Sequence, residues 1–114
     1  MVIVRGDIWW ADLAKPVGSE PGYRRPVVIV QVDRFNSSRI ATVLVVPLTT
    51  NMRLAQAPGN VLVAARHSGL PKDSVANVSQ LFPVDKSRLA QRAGKLTGHV
   101  LDDIEDGLRL IMGL

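Results

Sequence analysis

A chain of 114 residues, 46% hydrophobic and without cysteine, is long enough for one domain with its own core and excludes disulfides, thiol nucleophiles and cysteine zinc sites. The net charge of +4 is unevenly spread: residues 1–99 carry 13 Lys and Arg against 6 Asp and Glu, whereas residues 100–114 carry one basic and four acidic residues. A basic body of this kind attracts polyanions such as RNA, DNA or an acidic protein segment, and charge alone does not choose among them. No run approaches the roughly 20 apolar residues of a membrane helix. The opening MVIVRGDIWW meets charge too early for a secretory signal. The expectation is a cytoplasmic protein that does not engage a membrane.

Taken in chain order, the sequence reads mostly as strands. Gly6–Leu13 (GDIWWADL) carries β-favouring aromatics. A loop marked by Pro16, Gly18, Pro21 and Gly22 follows. Pro26–Asp33 and Ile40–Leu48 are β-branched runs apolar on both faces, as central strands of a closed or doubly covered sheet require. Pro26 is tolerated at a strand start, and Pro47 predicts a bulge or a strand end. Shorter strands are expected at Asn60–Ala64 and Asp73–Phe82. Thr97 can cap a final helix running to about Met112, with Val100, Leu101, Ile104, Leu108 and Ile111 on its apolar face. Asp102, Asp103, Glu105 and Asp106 lie in its first half, where negative charge suits the helix dipole. The fold expectation is mainly β (α+β by count): a small strand-rich barrel with a C-terminal α-helix, residues 1–114 forming a single domain.

Groups able to carry chemistry are few. There is no dinucleotide fingerprint and no phosphate loop. His67 and His99, the two histidines, read as surface residues, and no set of residues has metal-ligand spacing, so no metal and no cofactor is expected. Arginine and hydroxyls at strand ends remain. Arg25 precedes a proline and is thereby extended. Alternation puts it on one face with Val27, Ile29 and Gln31, and puts Arg24 on the other. The strand ending at Leu48 opens into Thr49-Thr50-Asn51. If those two strands pair antiparallel, Arg25 and Thr49 come together. A guanidinium fork with a hydroxyl suits a phosphodiester, and RNA brings its own nucleophile as the 2′-OH. On residues alone the competing reading is that Arg25 pairs with Glu20 or Asp12 and that Thr49 closes a turn.

Four stretches in order, RGDIWWADL with GSEPGYRRPVVIVQVD, then VLVVPLTT, LPKDSV, and the DKSRL…GKL segment, resemble the MazF (PemK/Kid-like) mRNA interferases, the toxins of type II toxin–antitoxin pairs. The resemblance covers nearly the whole chain. It implies an SH3-like β-barrel related to the gyrase poison CcdB, working as a homodimer. It implies cleavage of single-stranded RNA at short sequences, independent of metal and ribosome, leaving a 2′,3′-cyclic phosphate and a 5′-OH. The family's essential arginine falls on Arg25, its threonine on Thr49, and the glutamate of GSE on Glu20. Candidate RNA contacts are Arg5, Ser19, Arg24, Gln31, Thr50, Arg53 and Gln80. Arginine is a permanent cation and no base, so Arg25 is expected to stabilise charge and Thr49 to orient the phosphate. Glu20 is the candidate base for the 2′-OH. The implied partner is a MazE-like acidic antitoxin segment over the RNA groove. One stretch departs from the family pattern: Ser79-Gln80-Leu81-Phe82 has serine where many members have an acid, and phenylalanine where they have a basic residue. Two other classes stand beside this one. A CcdB-like gyrase poison would need a Trp-Gly-Ile-like tail, and Met112-Gly113-Leu114 lacks the tryptophan. A non-catalytic RNA-binding barrel would need strand aromatics for stacking, and aromatics are only 4% of the chain.

Overall fold

The two β-branched runs that dominate the sequence lie at the centre of the computed structural model, which describes residues 1–14, 18 and 23–114. Strands β1 (Asp7–Asp12), β2 (Arg24–Ile29) and β3 (Thr42–Thr49) pair antiparallel, with β2 in the middle. Beyond them come β4 (Val61–Val63), β5 (Ser74–Ala76), β6 (Phe82–Asp85) and β7 (Leu89–Lys95). Helices are α1 (Asp33–Asn36), α2 (Ala65–Ser68) and α3 (Val100–Met112). Among the described residues no helix is long and apolar enough to cross a membrane.

The strands hydrogen-bond in the order β4-β5-β3-β2-β1-β7, with β6 on β3. The expected closed barrel is therefore corrected to an open antiparallel sheet, since the end strands β4 and β7 form no ladder with each other. Helices occupy those places instead: α3 packs against β4 and α2 against β7. One long strand also serves two neighbours along one edge. Thr42–Val45 of β3 pair with β6, while Leu48 and Thr49 pair with β5. Pro47 lies at the exchange, having no N–H to give, and its carbonyl accepts from the Asn77 N–H at 3.0 Å. Pro47 thus marks a change of partner inside a continuous strand, rather than a strand end.

Alternation along β1–β3 feeds two cores, as strands apolar on both faces should. Ile8, Val28, Val46 and Leu48 pack with Val100, Ile104 and Leu108 of α3. Trp9, Ala11, Val27, Ile29, Val43 and Val45 pack on the other face with Val84 and Leu89. Close backbone approach fixes two joints. A Cβ on Gly107 would collide with the carbonyl of Gly59, and one on Gly94 with that of Ser68.

Local structure departs from the sequence expectation where polar side chains capture the backbone. The run through Asp33 ends early, because Asp33 Oδ1 accepts from the Arg5 N–H (2.7 Å) and from Asn36 Nδ2 (3.2 Å), turning the chain into α1. Those bonds, the Arg5 N–H first, hold the Asp33 carboxyl below its ordinary value. The expected strand Asp73–Phe82 is cut in two by a 3-10 turn at Val78–Gln80, where Asn60 Oδ1 accepts from the Val78 N–H at 2.9 Å. The last helix begins at Val100 behind His99, with no side-chain cap. Thr97 does not cap it; its Oγ1 meets His67 Nδ1 at 2.9 Å.

Candidate functional site

A cleft of about 360 Å³ opens where β2 begins and β3 ends. Arg24, Arg25 and Pro26 form one wall, Leu48, Thr49 and Thr50 the next, and Leu70, Pro71, Lys72 and Ser74 the third, with the indole of Trp10 alongside. Among the described residues every charged side chain lining it is a cation.

The geometry follows from register. Val27 pairs with Pro47, so extending the antiparallel ladder by two residues puts Arg25 across from Thr49. On the far side Leu48 pairs with Ala76 and Thr49 with Val75, and one further step sets Ser74 across from Thr50. Alternation gives Arg25 and Thr49 to one face, with the core of Val27 and Val45. Arg24, Thr50 and Ser74 belong to the other, with the core of Val28, Leu48 and Ala76. Both sets reach the same cleft because it lies over the rim of the sheet, beyond Val27 and Pro47 where the ladder between β2 and β3 ends. Pleating therefore does not send one arginine away from the site, as alternation alone had suggested. It gives the two arginines different surroundings.

Arg24 is exposed and rests its guanidinium 5.5 Å from the centre of the Trp10 ring, within cation–π range. Asp12 lies 3.6 Å from it, an exposed and loose pair. Asp12 is thus a neighbour of Arg24, whereas Arg25 makes no ion pair among the described residues. Arg25 is half-buried, and its Nε is sealed from solvent with no partner among the described residues. Thr49 Oγ1 accepts from the Asn51 N–H at 3.2 Å, which orients the hydroxyl oxygen and leaves its proton to give. Three buried side-chain polar atoms lack a partner among the described residues: Trp9 Nε1, Arg25 Nε and Ser74 Oγ. Two of the three belong to residues that line this cleft.

Other residues singled out from sequence lie elsewhere. Arg5 forms an ion pair with Glu105 at 2.6 Å and donates from Nε to the Val30 carbonyl at 3.1 Å, pinning α3 to the sheet. Gln31 donates to Asn36 Oδ1 at 3.0 Å and accepts from the Leu44 N–H at 3.4 Å, at the α1 turn. Gln80 Oε1 accepts from Asn77 Nδ2 at 3.1 Å within the 3-10 turn. Arg53 is exposed on a second 3-10 turn, Met52–Gln56, whose N-cap Asn51 accepts from the Arg53 N–H. None of these four lines the cleft. Ser19 and Glu20 lie outside the described residues. Conversely, Trp10, Lys72 and Ser74 were not singled out. Trp10 could have been found by alternation, since Trp9 is buried in the core opposite. Lys72 and Ser74 fall in LPKDSV, where nothing local marks either one. Among the described residues no group of three His, Asp or Glu side chains could hold a metal ion.

Residues 4–112 match the family model described as PemK-like, MazF-like toxin of type II toxin–antitoxin system. Endoribonuclease MazF6 of Mycobacterium tuberculosis is 43% identical over 114 residues, covering all of both chains. Endoribonuclease EndoA of Bacillus subtilis is 33% identical over the whole of this chain and 97% of its own. Among solved structures, MazF of Deinococcus radiodurans superposes with a TM-score of 0.84 at 21% identity, over 100% of this chain and 99% of that one. A mycobacterial endoribonuclease solved in complex with its cognate antitoxin gives 0.77 at 24% identity, over 99% and 95%. Both share the fold described above.

Proposed function

The chain belongs to the PemK-like, MazF-like toxins of type II toxin–antitoxin systems and is an endoribonuclease of that family; we propose that it cuts single-stranded mRNA at short sequences, without metal or ribosome. The observation that carries this reading is the half-buried Arg25, its Nε unpartnered, in a cleft whose charged lining is cationic among the described residues. Such a donor is positioned for an anion that the described residues do not supply.

The ribose 2′-oxygen attacks the adjacent phosphorus, the new O2′–P bond forms, and the P–O5′ bond breaks. Negative charge that builds on the non-bridging oxygens is met by the guanidinium of Arg25, preorganised by burial. Thr49 donates its hydroxyl proton to one of those oxygens and fixes the phosphate in line. The proton of the 2′-OH passes to a base, for which Glu20 is the candidate, and O5′ takes a proton from solvent water as its bond to phosphorus breaks and leaves as a hydroxyl. The products are a 2′,3′-cyclic phosphate and a 5′-OH end. Arg24 on Trp10 and the exposed Lys72 hold the flanking backbone.

The same cationic rim suits an acidic antitoxin segment that lies along the cleft and competes with RNA, folding as it binds. The toxin acts in the cytoplasm as a homodimer. The purified chain in EDTA, given a labelled single-stranded RNA, is expected to release fragments with 5′-OH and cyclic phosphate ends. Cutting that requires added magnesium, or fragments with 5′-phosphates, would overturn the proposal.

A further inference from the structure

Ser74 presents a second anomaly in the cleft, distinct in character from that of Arg25. The residue is only 3% exposed, and its Oγ has no hydrogen-bond partner among the described residues. Buried hydroxyls in folded proteins are almost always satisfied. Left unsatisfied, it costs the free protein stability. It lies on β5, paired across to the buried Val63 of β4, and it lines the cleft.

Its surroundings separate it from the phosphate chemistry. Arg25 and Thr49 belong to one face of the sheet and Ser74 to the other, together with Leu48, which is in the core cluster with Leu70. Leu48, Leu70 and Pro71, with the Trp10 indole, give this part of the cleft apolar walls. A hydroxyl that both donates and accepts, set in an apolar slot beside an aromatic ring, is poor at holding a phosphate. It is suited to a flat heterocycle, which covers the walls with its faces and offers a polar edge to the hydroxyl.

We propose that Ser74 Oγ reads the edge of the nucleobase adjoining the scissile phosphate, making Ser74 a specificity-determining residue. The inference rests on the ribonuclease reading above and deepens it: Arg25 and Thr49 act on the backbone common to all nucleotides, while Ser74 ranks the bases beside it. A base that satisfies the hydroxyl removes the orphan; a base that cannot leaves it buried and unpaired, and binds less well for that reason.

The test is to digest one long unstructured transcript with wild type, Ser74→Ala and Ser74→Cys, and to count new 5′ ends at every position. Thermal denaturation of each protein without RNA accompanies it. The expected result is a redistribution: cutting by Ser74→Ala at the wild-type preferred sites falls by about five- to tenfold relative to its other sites. One base position next to the cut loses its preference, and Ser74→Cys lies between. The melting temperature of Ser74→Ala stays level or rises, because an unsatisfied buried hydroxyl has gone. Unchanged relative site frequencies in both variants would overturn the inference. A uniform slowing at every site would overturn it as well, assigning Ser74 to the phosphate instead. A loss of melting temperature in both variants would do the same, because the hydroxyl would then serve the fold. Failure of the wild type to cut at all would strike the ribonuclease reading, a different outcome from any of these.

Discussion

Two ends of the sheet carry polar and basic side chains, and they differ in how those groups are used. At the α1 end, Asn36 is buried and fully engaged: its Nδ2 donates to the Gln31 carbonyl and to Asp33, and its Oδ1 accepts from Gln31. Lys86 nearby donates from Nζ to the carbonyls of Asn36 and Ser38 at 3.0 and 3.1 Å. At the cleft, Arg25 Nε and Ser74 Oγ are equally hidden and have no partner among the described residues. Polar groups of one composition therefore serve opposite purposes. Where bonds close within the chain, they hold a turn; where they are left open under cover, they await a ligand.

Breaking that contrast should have its largest effect at Arg25. Arg25→Ala is expected to slow RNA cutting by about a thousandfold, the scale of removing a preorganised donor from developing charge. Its melting curve should stay close to wild type, because the group removed has no bond to lose among the described residues. Cleavage rates on a short RNA and thermal denaturation measure both, and retention of cutting would undo the assignment.

Asn36→Ala should give the reverse pattern. The substitution orphans donors and acceptors at a buried turn and should cost about 2 kcal/mol of stability, seen as a lower midpoint in urea. Cutting per folded molecule should remain at the wild-type rate. A variant that lost cutting while folded would show the two ends to be coupled.

The smallest effect is expected at Lys72, exposed on the cleft rim with no ion pair among the described residues. Lys72→Ala should weaken RNA binding modestly and alike for every sequence. It should also flatten the dependence of log K on log salt by about 0.7, the share of one phosphate contact on a single strand. Titrations of a non-cleavable RNA at several salt concentrations would reveal a slope that had not moved.

Much of this arrangement was legible in the sequence, for reasons that also mark where legibility stopped. Strands β1 and β4 lie within predicted segments and β2 and β3 overlap theirs, because aromatic and β-branched runs bury on a pleated surface whatever their neighbours. Strand β7 escaped notice: LAQRAGK has no β-branched residue, and it becomes a strand only by pairing with β1 across two irregularities of register. Arg25 stood out through Pro26 and Thr49 through the end of an apolar run, both local signals. Ser74 had none. Its burial depends on β5 lying between β3 and β4, a relation between segments distant in the chain. Placing Gln31 on the strand face of Arg25 assumed that alternation continued past Ile29, where the side-chain carboxylate of Asp33 instead draws the backbone into a turn.

The exchange of partners at Pro47 bears on the cleft in one further respect. Arg25 is carried by the part of the sheet that holds β1, β2 and β7, and Ser74 by the part that holds β4 and β5; among the described residues the strand ladder passes from one to the other through β3. The cleft is thus built across a seam, with the wall of Arg25 on one leaf and the apolar slot on the other. Ile8 and Val28 of the first leaf share a core with Val63 and Ala76 of the second, so packing on that face holds the two walls at a fixed spacing although the ladder between them changes partner at Pro47.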